Sequence, residues 1–211
     1  MSFHLWTLFC LAYLVTTLSP GPNVLLVLKN SIQFGWESAF ITIFGNLFCQ
    51  FLIVCLVALG VGALLQTLPV WFLVMKVLGG SYLIYLGIKA LRSKKTSTFD
   101  SIDKAAITNS TKTGFALFGE AFLVSASNPK TLIFLSAFLP QFLTLESPAY
   151  MQFLIMFISI CAIVTCVHIG YAFGIARLGK HFSLKKMENK ITKITGGLFI
   201  SMGGGILLSN R

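Results

Sequence analysis

The chain has 211 residues, 56% of them hydrophobic and 10% charged, with a net charge of +10. Soluble domains carry about 25% charged residues, so a soluble globular class is excluded. The cations are clustered: six of the 16 fall between Lys89 and Lys112 and six between Arg177 and Lys193. Such clusters suit cytoplasmic loops under positive-inside bias, and their poverty in aromatic residues argues against nucleic acid as a partner.

Positions 1–28, 38–75, 147–176 and 194–210 contain no Asp, Glu, Lys or Arg. About 20 apolar residues cross a hydrocarbon core of about 30 Å. The expectation is an all-α integral membrane protein with six transmembrane helices in a lipid bilayer. The first span covers roughly residues 3–28 and is interrupted by Ser19-Pro20-Gly21-Pro22-Asn23. It lacks the cationic start of a cleavable signal peptide and is read as a retained span. Lys29 to Glu37 reads as a short polar turn. The second span covers about residues 39–65 and the third about 70–91. Residues 92–112 form a basic, mobile connector. The fourth span, about 114–139, is interrupted at Ser127-Asn128-Pro129-Lys130 and ends at Pro140-Gln141-Phe142. A loop without cations at 143–149 leads to the fifth span, about 150–175, and a second basic loop leads to the sixth, about 191–208. Positive-inside bias places both basic loops in the cytoplasm and the 143–149 loop outside. Counting spans backwards then places both chain ends outside.

The two halves echo each other. Lys76-Val77-Leu78-Gly79-Gly80-Ser81-Tyr82-Leu83 is similar to Lys193-Ile194-Thr195-Gly196-Gly197-Leu198-Phe199-Ile200. Residues 1–91 and 113–211 are therefore read as two three-helix repeats. An odd number of spans per repeat inverts the second, and broken helices at matching positions of inverted repeats point to a transporter's binding site. Gly197, Ser201 and Gly205, four apart, make a small-residue stripe that suits close packing of helices. Packing within the chain is expected of it, with a homodimer contact as the other use.

Prolines remove backbone donors and clash with the carbonyl four residues back, and inside hydrocarbon the freed groups must find partners in protein or a water-lined cavity. Pro22 and Pro129 suit the first position of a restarted half-helix, whose amides receive an anionic group. Carbonyls before the break accept from an ammonium. Ser19, Pro20, Gly21, Pro22, Asn23, Asn128, Pro129 and Lys130 are the candidates for such a site. Asn46 and Gln50 share one face of the second span and either line the pathway or bond to a neighbouring helix. Glu120 is a candidate proton carrier or, equally, a carboxylate paired with a loop lysine. His168 reads as a satisfied core histidine, with a proton relay as the other reading. The five cysteines sit within apolar runs without a Cys-x-x-Cys and read as small buried hydrophobes.

Ser19-Pro20-Gly21-Pro22 with Asn23, Asn128-Pro129-Lys130, Ala137-Phe138-Leu139-Pro140-Gln141-Phe142 and Gly79-Gly80 with Tyr82-Leu83 together resemble the LysE/RhtB family of amino-acid exporters. The resemblance spans nearly the whole chain and is nearer to the threonine/homoserine branch than to the lysine exporters. It implies efflux of amino acids or related small zwitterions across the bacterial inner membrane by proton exchange, with no cofactor and no enzymatic step. Glu120 departs from the basic or neutral residue expected at its place, so no family role carries over to it. Cation or metal efflux is the competing transport reading, and the spans hold only Glu120 and His168 singly rather than a metal-binding cluster. A membrane thiol or electron carrier would call for a spaced cysteine pair.

Overall fold

The structure is a computed structural model that describes residues 1–64, 69–92, 112–144, 147–178 and 184–208. Every element it contains among those residues is helical: α1 (Phe3–Leu18), α2 (Pro22–Phe34), α3 (Glu37–Leu64), α4 (Pro69–Arg92), α5 (Gly114–Ala126), α6 (Pro129–Ile133), α7 (Ala149–Leu178) and α8 (Leu184–Leu208). A π-helical turn, Phe134–Phe138, and a 3-10 turn, Leu139–Phe142, continue α6. The connector at 93–111 and residues 179–183 of the second basic loop lie outside the described residues; the rest of that loop is helical, so the last helix begins at Leu184 rather than at about 191.

Local chemistry sets the helix limits. Ser2 caps α1 by accepting from Leu5 N, and Thr113 caps α5 by accepting from Ala116 N, each meeting a donor with no partner inside its helix. Pro22 and Pro129 occupy first helical positions, where a missing donor costs nothing. Pro140 interrupts the ladder after α6. The Gln141 side-chain amide donates to the Ala137 carbonyl at 2.8 Å, satisfying backbone in the disturbed turn.

The polar turn expected at Lys29 to Glu37 is instead mostly helix. α2 continues to Phe34 and stops only at Gly35, whose φ of 87° lies in the left-handed region that glycine adopts without strain. Its polar residues have partners within the protein: Asn30 Nδ2 donates to Thr42 Oγ1 at 3.1 Å and Ser38 Oγ to the Asn30 carbonyl at 2.7 Å. The first break thus lies near the middle of a bent pair, with 16 residues of α1 before it and 13 of α2 after it. α1 and α2 meet at 56°, and α5 meets the Pro129–Phe142 segment at 61°.

Glu37–Gly60 of α3 and Ala149–Gly174 of α7 are each long and apolar enough to cross a membrane, and each bent pair meets the same test together. The core lies where α1, α7 and the π-helical turn meet, around Phe9, Leu135, Phe138, Met156 and Ile160. Phe44, Leu56, Leu59 and Ile158 point outward and exposed from α3 and α7, as expected of surfaces facing lipid. The fold is that of an all-helical membrane protein.

α4 and α8 pack antiparallel through glycines. A Cβ on Gly87 would lie 2.6 Å from the Gly196 carbonyl oxygen, and one on Gly203 would lie 2.6 Å from that of Gly80. The expected packing stripe is the wrong face of α8: Gly197, Ser201 and Gly205 are exposed, and no neighbour lies within 4 Å of a Cβ built on Gly197 or Gly205. A small-residue period shows that a face is smooth, not which of two adjacent faces meets the neighbour.

Candidate functional site

The two broken helices meet. α1 ends at Ser19, and its last carbonyls have no donors within the helix. Tyr171 Oη of α7 donates to the Leu18 carbonyl at 2.8 Å, and Lys130 Nζ of α6 donates to the Ser19 carbonyl at 2.8 Å. A cation is the group that the negative end of a helix favours. The first break is therefore closed by a lysine from the second.

A second link joins the half-helices that restart after each break. Asn128 Oδ1 accepts from Lys130 N at 3.1 Å and caps α6. Its Nδ2 donates to Asn23 Oδ1 at 3.2 Å. Asn23 Nδ2 in turn faces Ser125 Oγ at 3.3 Å and Thr131 Oγ1 at 3.4 Å. Asn23 and Asn128 are both buried, so these amides exchange partners with one another rather than with solvent.

Around this joint is a cavity of about 40 Å³. Ser19, Gly21, Asn23, Gln50, Asn128 and Lys130 of the expected residues line it. Pro20, Pro22 and Pro129 do not line it; they set the backbone that brings the others there. Gln50 reaches it from α3, its Oε1 accepting from Tyr13 Oη at 2.8 Å. Asn46 is fully buried one turn earlier, with neither side-chain oxygen nor nitrogen partnered among the described residues, and it is absent from the lining. Glu120 is also elsewhere. It sits between Lys29 of α2 and Lys112, at 3.2 and 2.7 Å, so the paired-carboxylate alternative is the geometry found.

Tyr13, Thr131, Ser125 and His168 were not expected at the site. Tyr13 looks like an interfacial or core aromatic in a sequence, and Ser125 and Thr131 are unremarkable until the helices are placed. His168 corrects an expectation: it lines the cavity, is 2% exposed, and its Nδ1 has no partner among the described residues. It is not a satisfied core histidine.

Different contacts hold the helices together at the two ends of the bent pairs. Phe9, Tyr13, Phe134, Phe138 and Phe142 form a continuous run of ring contacts between α1 and the π-helical segment, with centroids 4.3 to 5.9 Å apart. They lie toward the end where the Met1 amino group donates to Ser147 Oγ at 3.2 Å. The Lys29–Glu120–Lys112 cluster ties α2 to the start of α5 at the opposite end. The chain's start and Ser147 thus lie together at one end.

Residues 14–210 match the family model described as LysE type translocator. The chain belongs to the LysE family. An uncharacterized membrane protein of Vibrio cholerae is 30% identical over 99% of this chain and 98% of its own length. A homoserine/homoserine lactone efflux protein of Salmonella typhi is 30% identical over 100% of this chain and 99% of its own. A leucine efflux protein of Salmonella choleraesuis is 34% identical over 68% of this chain and 65% of its own. No solved structure matches the chain. Membership makes this LysE-family chain a membrane transporter rather than an enzyme, and the homoserine/homoserine lactone efflux relative agrees with the nearer likeness to the threonine/homoserine branch.

Proposed function

We propose that this protein is a secondary exporter of amino acids or related small zwitterions, working across the bacterial inner membrane as a multi-pass carrier. The observation that carries the reading is the joint itself. Two broken helices present opposite chemistry to one small cavity, carbonyls at the end of α1 and amide-bearing helix starts at α2 and α6. A zwitterion has the two charges that such a pair of ends would hold. The efflux names of two relatives support the direction and the cargo class.

The architecture we propose is six spans in two inverted repeats, residues 1–91 and 113–211, joined by the 92–112 connector. The two bent pairs, one in each half, support it. The coupling ion we propose is the proton, since Lys130, His168 and Tyr13 bring titratable groups to the lining. Gly21 and Asn46 belong to the proposed pathway with the lining amides, and Glu120 belongs to it as the group tying the two bent pairs together at one end.

The test is export from cells producing the protein, over a panel of neutral, basic and acidic amino acids and their analogues. Raised tolerance and faster efflux are expected for neutral zwitterions. Pro22→Ala and Pro129→Ala should each lower efflux at least tenfold with normal membrane insertion. Wild-type flux in both variants would reduce the breaks to structural kinks, and no efflux of any zwitterion would sink the cargo class.

A further inference from the structure

The cavity already contains the amino group of a lysine. Lys130 Nζ lies 2.8 Å from the Ser19 carbonyl, and a Cβ built on Gly21 would lie 4.0 Å from Nζ. The lysine thus reaches across the first break from the start of α6. Its bond to Ser19 is the link that spans residues 111 positions apart in the chain. An ammonium has three donors, and a buried cation in a membrane protein requires a partner. The end of α1 requires a cation in turn. Each group satisfies the other in this structure.

Lys130 takes up part of a cavity of about 40 Å³ and holds the Ser19 carbonyl that a second cation would need. Lys130 is the long, unbranched lining side chain whose withdrawal would free both space and the carbonyl. The wall also has a spare polar atom, the unpartnered Nδ1 of His168, which is 2% exposed. Among the described lining residues there is no carboxylate, so the carbonyl end of α1 is the seat for a cargo cation.

We propose that Lys130 is a built-in stand-in for the cargo's ammonium. In the empty carrier it occupies the Ser19 carbonyl. A cargo with a primary ammonium displaces it from that seat. On release, Lys130 returns and the carrier again has no unpaired helix end. The inference rests on the exporter reading and deepens it. Return of the empty carrier depends on Lys130, whereas exchange of one cargo for another always has an ammonium in the seat. The cargo must also carry N–H donors, which excludes trimethylammonium zwitterions.

The experiment uses the purified full chain in liposomes loaded with labelled L-homoserine or L-leucine. Net efflux is measured into buffer without amino acid, and exchange into buffer with the same unlabelled amino acid at saturating concentration. In Lys130→Met, net efflux is expected to fall at least tenfold further than exchange. A monodisperse variant losing both rates in proportion, or neither, overturns the proposal. A second measurement needs only the wild type: the trimethylated analogue of the same amino acid, placed outside, should fail to drive exchange. Exchange equal to that with the parent amino acid overturns the proposal whatever the variant does. Wild-type vesicles that move neither amino acid in either assay overturn the exporter reading, and the inference with it.

Discussion

Replacing Asn128 separates two jobs that one side chain performs. Its Oδ1 caps α6 through Lys130 N at 3.1 Å, and its Nδ2 holds Asn23 Oδ1 at 3.2 Å. Loss of a capping side chain costs about 1 kcal/mol. Leaving the buried Asn23 Oδ1 without a donor adds about 1–3 kcal/mol. Asn128→Ala should therefore destabilise by roughly 2–4 kcal/mol. Asn128→Ser keeps a capping oxygen and loses the link to Asn23, so it should cost about 1 kcal/mol less than Asn128→Ala. A cycle with Asn23→Ala isolates the link: interhelical hydrogen bonds in membrane bundles average about 0.6 kcal/mol and reach about 1.7. Unfolding in mixed detergent with rising dodecyl sulfate, followed by circular dichroism, supplies the free energies. Equal losses for the Ser and Ala variants would refute the capping role. Single losses that add within about 0.3 kcal/mol would show that the two breaks are held together by other contacts.

Asn46 gives a second test, because it is fully buried and unpartnered among the described residues. An unsatisfied polar group costs about 1–3 kcal/mol, so Asn46→Leu should unfold at the same or higher detergent fraction while efflux falls at least tenfold; unchanged efflux would remove it from the pathway. The α4–α8 seam gives a third, with opposite signs on neighbouring faces. Gly87→Ala drives a Cβ to 2.6 Å from both the Gly196 carbonyl and Ile200 Cγ1, an overpacking that costs about 1–3 kcal/mol. Gly197→Ala meets nothing within 4 Å and should gain up to about 1 kcal/mol of helix propensity. The same unfolding assay reads both, and a stabilised Gly87→Ala would show that the seam is looser than its glycines indicate.

The breaks were legible because proline acts on its own backbone, whatever surrounds it. The same locality misled at Lys29 to Glu37. Lys29, Asn30, Ser31 and Gln33 look like a solvated turn because nothing adjacent explains them. Two of them have partners on other helices, Glu120 for Lys29 at 3.2 Å and Thr42 for Asn30 Nδ2 at 3.1 Å, while Ser31 Oγ donates to the Leu28 carbonyl on its own helix. No local pattern reports the two contacts between helices. His168 failed for the same reason in reverse. A lone histidine in an apolar run looks satisfied until the cavity beside it is found. Gln50 was half visible, since its spacing from Asn46 fixed the helix face but not the Tyr13 hydroxyl that meets it.

The partners at the joint also explain why the breaks work as a pair. α1 cannot close its own carbonyl end, because Ser19 to Gly21 turn the chain through 56° before α2 begins. α2 starts on a glycine that offers no capping side chain, so Asn23 looks outward for its partners. The second break supplies what the first lacks, an ammonium for the Ser19 carbonyl and an amide donor for Asn23. It does so from about one turn of chain, Asn128 to Thr131. A half-chain alone would leave a buried carbonyl and a buried amide oxygen unpaired, each costing on the order of 1–3 kcal/mol. The polar chemistry at the centre of this protein is therefore complete only when both bent pairs are docked. Any movement that parts the bent pairs must supply other groups in place of those partners.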